Sequence, residues 1–206
     1  MDADLASTAL SANEAACVTG VPLKQVHRII DTDLLNGMAS GGRSRTVHRD
    51  GLLALKLAHE TTDLLTLDGR RRLVRYLLDH PDAKAARERD VSVDLRAMKG
   101  EVRKGLSRLA RARSAVACDD AVLSGTPCIK GTRIPVHDLA DMLANGDTAE
   151  AVRDAFPRLS DAQIELAAFY AEAYPRRGRP RGEPFWRGRS PITSSETTLD
   201  ALLSTR

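Results

Sequence analysis

The sequence predicts a mainly α protein with short β pieces, and three observations carry that reading. Apolar residues recur at helical spacing through most of residues 10–174. The ends of those stretches carry capping and glycine signals, and only a few brief runs have the character of strands. Four parts follow in order: a winged helix-turn-helix over 1–58, a helical connector over 59–118, a β-hairpin with a second helix-turn-helix over 119–175, and a disordered basic tail over 176–206. A chain of 206 residues has room for more than one modest core, and with 3% aromatics its aliphatic side chains must fill them.

Composition narrows the functional classes. Cys17, Cys118 and Cys128 are odd in number and lack metal-ligand spacing, so they read as reduced, packed thiols of a cytoplasmic protein. Met1-Asp2-Ala3-Asp4 offers no basic n-region, so export is not expected, and no run reaches the roughly 18 apolar residues of a membrane span. The net charge of +3 is uneven: residues 176–206 hold seven arginines against three acids, leaving the preceding chain at −1. A nearly neutral body with a cationic end points to an acidic partner for that end. Five scattered histidines, no glycine-rich phosphate loop and no spaced carboxylates on strands argue against an enzyme, and neither cofactor nor metal is expected. Asp119-Asp120 is a carboxylate pair on a turn and reads as structural.

Taken in order, the first helix opens at Ser11, whose hydroxyl and Glu14 three residues later form a capping box. Gly20 breaks the chain, and Pro22 suits the first turn of a second helix running to about Thr32. Val26, Ile29 and Ile30 make its inner face, which leaves Lys24, Gln25, His27 and Arg28 outward to reach phosphates or base edges. A glycine-tipped wing follows with Arg43 and Arg45 exposed, ended by Asp50 as cap of the next helix. Over residues 11–58 this arrangement resembles the winged helix-turn-helix of MerR and excisionase-like proteins.

Next come leucine-rich helices over 52–64 and 67–78, the second opening with Arg70, Arg71 and Arg72 as a solvated surface. Val91-Ser92-Val93-Asp94-Leu95 alternates as a strand, and Met98, Val102, Leu106 and Leu109 mark one apolar stripe of an amphipathic helix over 97–112. Its basic residues could follow a DNA backbone, although Glu101 and the spread of charge favour simple solvation.

From Gly125 to Val136 the chain reads as two short strands, Cys128-Ile129 and Arg133-Ile134, around a Lys-Gly-Thr turn, with Gly125 and Gly131 where positive φ is called for. Such a ribbon must lie on the following helices or pair with a second copy. Three helices follow: 136–144 closed by Asn145-Gly146, a second capped by Asp147 with Glu150, and a third capped by Ser160 with Gln163 and stapled by Leu159 and Ile164. That third helix has no Lys or Arg from 160 to 174 and is apolar around nearly its whole circumference, so it is expected to serve dimerisation and partner docking rather than DNA.

The pattern Gly125-x-Pro127-x-x-x-Gly131-Thr132-Arg133-Ile134, then a helix and an acidic helix-turn-helix ending near Tyr174, resembles the small domain of unknown function in VapB-type antitoxins of type II toxin-antitoxin pairs. The resemblance covers about residues 119–175. It implies a PIN-domain-like ribonuclease toxin as partner; the homodimer is expected from the apolar third helix, and operator DNA from the N-terminal helix-turn-helix. In such toxins carboxylates hold Mg²⁺, and antitoxins push a basic arm across that site.

The tail suits that role: Arg176, Arg177, Arg179, Arg181, Arg187 and Arg189 supply charge, while Phe185 and Trp186 are pocket-filling anchors. Arg177-Gly178-Arg179-Pro180 also resembles an AT-hook core, which seeks a narrow minor groove. Two functions are therefore expected of such a chain. One is an antitoxin that neutralises a ribonuclease and represses its own promoter; the other is a stand-alone MerR-like transcriptional regulator whose tail adds DNA contacts.

Overall fold

In a computed structural model, residues 9–42 and 44–176 are described. The elements run β1 (Ala9–Ser11), α1 (Ala12–Thr19), α2 (Leu23–Asp31), β2 (Ala39–Ser40), β3 (Thr46–His48), α3 (Leu52–Glu60), α4 (Leu67–Asp79), β4 (Ala85–Glu88), β5 (Val91–Asp94), α5 (Arg96–Ala115), β6 (Val116–Ala117), β7 (Cys128–Ile129), α6 (Val136–Ala144), α7 (Ala149–Ala155) and α8 (Asp161–Ala173). The protein is mainly α with short antiparallel β pieces.

The N-terminal module is built on a three-stranded sheet of order β1-β3-β2, with Leu10 opposite Val47 and Ala39 also opposite Val47. Its central Val47 is fully buried, which is why so short a sheet holds its register. Ser11 receives the Glu14 N–H while Glu14 accepts the Ser11 N–H at 2.7 Å, so the capping box closes α1 at its start. Gly20 ends α1 at φ 71°, a left-handed conformation that glycine adopts at no steric cost. Asp50 does not cap α3: residues Arg49–Gly51 form a 3₁₀ turn capped by the His48 ring, and α3 follows it directly. The 3₁₀ turn takes up the donors that a cap would otherwise satisfy.

α5 reaches α1 through a close approach at Gly105, where an added Cβ would lie 2.1 Å from the Val18 carbonyl oxygen. Lys56 of α3 secures the same corner, donating to the Thr19 carbonyl at 3.0 Å and pairing with Glu101 at 2.8 Å. The three arginines at the start of α4 are intramolecular staples rather than a bare solvated face. Arg70 donates to Thr62 Oγ1, Arg71 reaches the Thr32 carbonyl, and Arg72 pairs with Glu88 at 2.6 Å. β4, whose Ala-Ala-Arg-Glu composition gives no strand signal, pairs with β5.

Two corrections concern the chain after α5. β7 does form at Cys128-Ile129, but its strand partner is β6, with Val116 opposite Ile129; Arg133-Ile134 is no strand. α5 runs straight into β6 and brings a partner to hand, while Arg133-Ile134 only folds back, linked by Ile129 N–H to the Ile134 carbonyl at 2.9 Å and a Cys128–Pro135 bridge. The cap of α7 is Thr148, which accepts from Ala151 N–H at 3.1 Å; the expected Asp147–Glu150 capping box does not form, because the helix starts one residue later and Ala151 at the third position has no polar side chain to reach back. The Ser160–Gln163 capping box and buried Leu159 and Ile164 start α8 as expected.

Two apolar cores result. The larger gathers β1, β3, α1 to α5 and one side of α8 through Phe169 and Ala173; the smaller gathers β7, α6, α7 and the other side of α8 through Ile164 and Ala167. Tyr170 packs against both. α8 is thus apolar around its circumference because it is shared within one chain. Among the described residues no helix is long and apolar enough to cross a membrane.

Candidate nucleic-acid interface

The order β1, α1, Gly20 turn, α2, β2 and β3 presents α2 as the second helix of a helix-turn-helix, with the wing behind it. Val26, Ile29 and Ile30 are buried and fix its rotation. On the opposite face Lys24 and Arg28 are exposed, and Gln25 and His27 are half-buried. No acidic side chain occurs from Pro22 to Ile30. Asp31, which follows, accepts a bidentate pair from Arg45 of the wing at 3.0 and 3.1 Å, and those hydrogen bonds hold its carboxyl below the ordinary range. Arg45 therefore fastens the wing to α2 and cancels a charge that would repel phosphate. Arg43 lies outside the described residues.

The signature residues form a tight loop. Gly125 and Gly131 take φ 77° and 78°, and Thr132 Oγ1 donates to the Ile129 carbonyl at 2.8 Å while accepting the Ile134 N–H at 3.1 Å. Pro127 offers its carbonyl to Val136 N–H at 3.0 Å, and Ile134 packs on the smaller core. Arg133 is exposed and lines, with Arg158, Asp119 and Cys128, a cavity of about 610 Å³. Asp119 accepts the Ala121 N–H, in keeping with a structural turn. Cys128 is buried and Cys17 half-buried, but Cys118 is exposed rather than packed. Burial, helped by Glu172 and Glu14, pushes the Cys17 thiol up to about 12, which keeps it unreactive.

One cluster has no local signature in the sequence. Glu14, 6% exposed, accepts from Arg113 of α5 at 2.6 Å and from the Tyr174 hydroxyl, besides closing its capping box. Arg113 also donates to Tyr174 Oη at 2.5 Å, and the Tyr174 carbonyl lies 2.8 Å from His137 Nε2. Burial pushes the Glu14 carboxyl up, yet the hydrogen bonds from Tyr174, Arg113 and Ser11 outweigh it and hold the group below its usual range. Partners 99 and 160 residues away leave no mark on local spacing. The cluster ties the N-terminal module to α5 and to the residue that follows α8, one before Pro175. Arg176 is exposed; Arg177, Arg179, Arg181, Phe185, Trp186, Arg187 and Arg189 lie outside the described residues.

Residues 116–171 match the family described as a protein of unknown function, DUF433. The uncharacterized protein y4eO of Sinorhizobium fredii (strain NBRC 101917 / NGR234) is 32% identical over 190 residues, a stretch covering 84% of each chain. This chain belongs to the same family as y4eO. Coverage of that extent passes well beyond the DUF433 region, so the kinship includes residues ahead of Val116. No solved structure matches.

Proposed function

We propose that this protein is a DNA-binding antitoxin: it docks α2 in the major groove of its own promoter as a homodimer and neutralises a PIN-domain-like ribonuclease through residues 176–206. The observation that carries the DNA half is the outward face of α2, where Lys24 and Arg28 are exposed and the nearest acid, Asp31, is occupied by Arg45. Phosphate binding needs such an unopposed cationic face, and Gln25 and His27 beside it supply donors for base edges. A homodimer would set two such helices about 34–36 Å apart on a palindrome. The antitoxin half rests on the resemblance of residues 119–175 to the small domain of VapB-type proteins, and on the arginines and the Phe185-Trp186 pair of the tail.

The test joins promoter binding with coexpression. The intact chain is expected to shift a duplex from its own upstream region and to copurify with the product of an adjacent gene encoding a PIN-like ribonuclease, suppressing its RNA cleavage. Deleting residues 176–206 should leave the DNA shift intact and abolish copurification. A deletion that instead lowers DNA affinity and its salt dependence would make the chain a stand-alone regulator with an AT-hook-like tail.

A further inference from the structure

α5 carries a charge pattern that the helix-turn-helix does not use. Arg103, Ser107 and Arg111 follow one another at four-residue intervals, with Lys104 and Arg108 in the adjacent row, so all five lie on one edge of the helix. All five are exposed, whereas Val102, Leu109 and Ala112 turn into the core. Four of the basic residues of α5 therefore share one edge, while Lys99 and Arg113 turn to Ala83 and Glu14. Glu101, three residues before Lys104, is engaged chiefly by Lys56 at 2.8 Å and feels Lys104 only as a weaker neighbouring charge. Among the described residues no carboxylate lies within ion-pair distance of Arg103, Lys104, Arg108 or Arg111. Holding four like charges on one edge costs self-repulsion, which a polyanion would relieve.

The edge is also placed next to the reading helix. Arg108, held over the Phe169 ring at 4.6 Å, lines one cavity with Gly20, Val21, Pro22 and Leu23, the turn that leads into α2. The same arginine lines the adjoining groove with Arg103, Lys104, Ser107 and Arg111. Arg108 thus joins the basic edge of α5 to the turn that precedes α2, in a cavity that Glu172 also lines.

We infer that this edge of α5 is a second phosphate-binding surface, which holds the backbone of duplex DNA flanking the segment read by α2. This deepens the proposed promoter binding and rests on it. At 1.5 Å rise per residue, Arg103 to Arg111 span about 12 Å, the axial length of roughly three or four phosphates of one strand. Arginine, lysine and serine are the side chains that contact phosphate without reading sequence. Glu165 and Glu172, exposed on the α8 side of these grooves, repel phosphate and confine the strand to the α5 edge.

The experiment titrates the full chain with two duplexes, one covering only the α2 half-sites and one extended by flanking sequence, over a range of salt. The variant Arg103→Gln/Lys104→Gln/Arg111→Gln leaves Arg108 on Phe169, so its melting temperature should be unchanged. On the extended duplex its salt slope should fall by about 2.7, at 0.9 per lost contact, with no change on the short duplex. Replacing the two arginines by lysine should restore most of the slope, and Glu165→Gln/Glu172→Gln should tighten the extended duplex. Equal slopes for wild type and triple variant on the extended duplex overturn the inference while leaving α2 as the reader. Loss of binding by the triple variant with none by Lys24→Ala/Arg28→Ala keeps the α5 surface and sinks the reading of α2. No DNA binding by the wild type sinks both. A triple variant that titrates DNA normally but no longer copurifies with a protein partner assigns the edge to that protein and overturns the inference as well.

Discussion

α2 and α8 are both the last helices of a helix-turn-helix shape, yet their chemistry is opposite. α2 buries one stripe, Val26, Ile29 and Ile30, and shows Lys24 and Arg28 to the outside. α8 is lodged between two cores, with Phe169 and Ala173 in one and Ile164 and Ala167 in the other, and the charges left to it are Asp161, Glu165 and Glu172. Shape alone does not make a DNA reader. What separates them is whether one face stays free and whether its charge complements phosphate.

The sharpest way to break the contrast is to empty α8 of its largest anchor. Phe169→Ala should cost about 3–5 kcal/mol of stability, since the ring is buried, and this reads directly in thermal or denaturant unfolding. DNA affinity of the folded fraction should stay as it was. Glu14→Gln comes next, at about 2–4 kcal/mol, because it leaves the Arg113 guanidinium without its buried counter-charge.

The same residue gives a pH test with a definite sign. Glu14 has a folded-state pKa below its unfolded value, so its contribution is complete above the ordinary glutamate range near about 4.3 and is lost as pH falls through the folded value. Melting temperature of the wild type should therefore fall more steeply on acidification below about pH 4.3 than that of Glu14→Gln. A parallel decline in both would remove Glu14 from the account.

On the reading side, Lys24→Ala and Arg28→Ala should each change stability by less than about 0.5 kcal/mol. Each should lower the promoter-binding salt slope by about 0.9. That combination, stability untouched and salt dependence reduced, is the mirror image of Phe169→Ala. The smallest effect is expected at the surface pair joining α7 to α8: Asp161→Ala, which removes an exposed carboxylate 2.8 Å from half-buried Arg153, should cost at most about 1 kcal/mol and vanish in high salt.

Local signals in the sequence carried a good part of this. Ser11 with Glu14 and Ser160 with Gln163 closed their helices as their spacing implied, and Gly125 and Gly131 took the positive φ their positions called for. Hydrophobic spacing on α2 predicted which side is buried. What escaped was decided by distant partners. β6 became the mate of β7 only because α5 delivers it there, and β4 forms from Ala-Ala-Arg-Glu because β5 offers it a ladder. That Arg103, Lys104, Arg108 and Arg111 share one exposed edge of α5 depends on which side of the helix packs on the core, and the pairing of Glu101 with Lys56 of α3 has no local mark.

The node at Glu14 has a mechanical meaning. Tyr174, the last residue before Pro175, is moored by hydroxyl and backbone to α1, α5 and α6. Traction applied beyond Pro175 would therefore load one carboxylate on the first helix of the N-terminal module. Slippage of that mooring would begin to unravel the two ends of the polypeptide together.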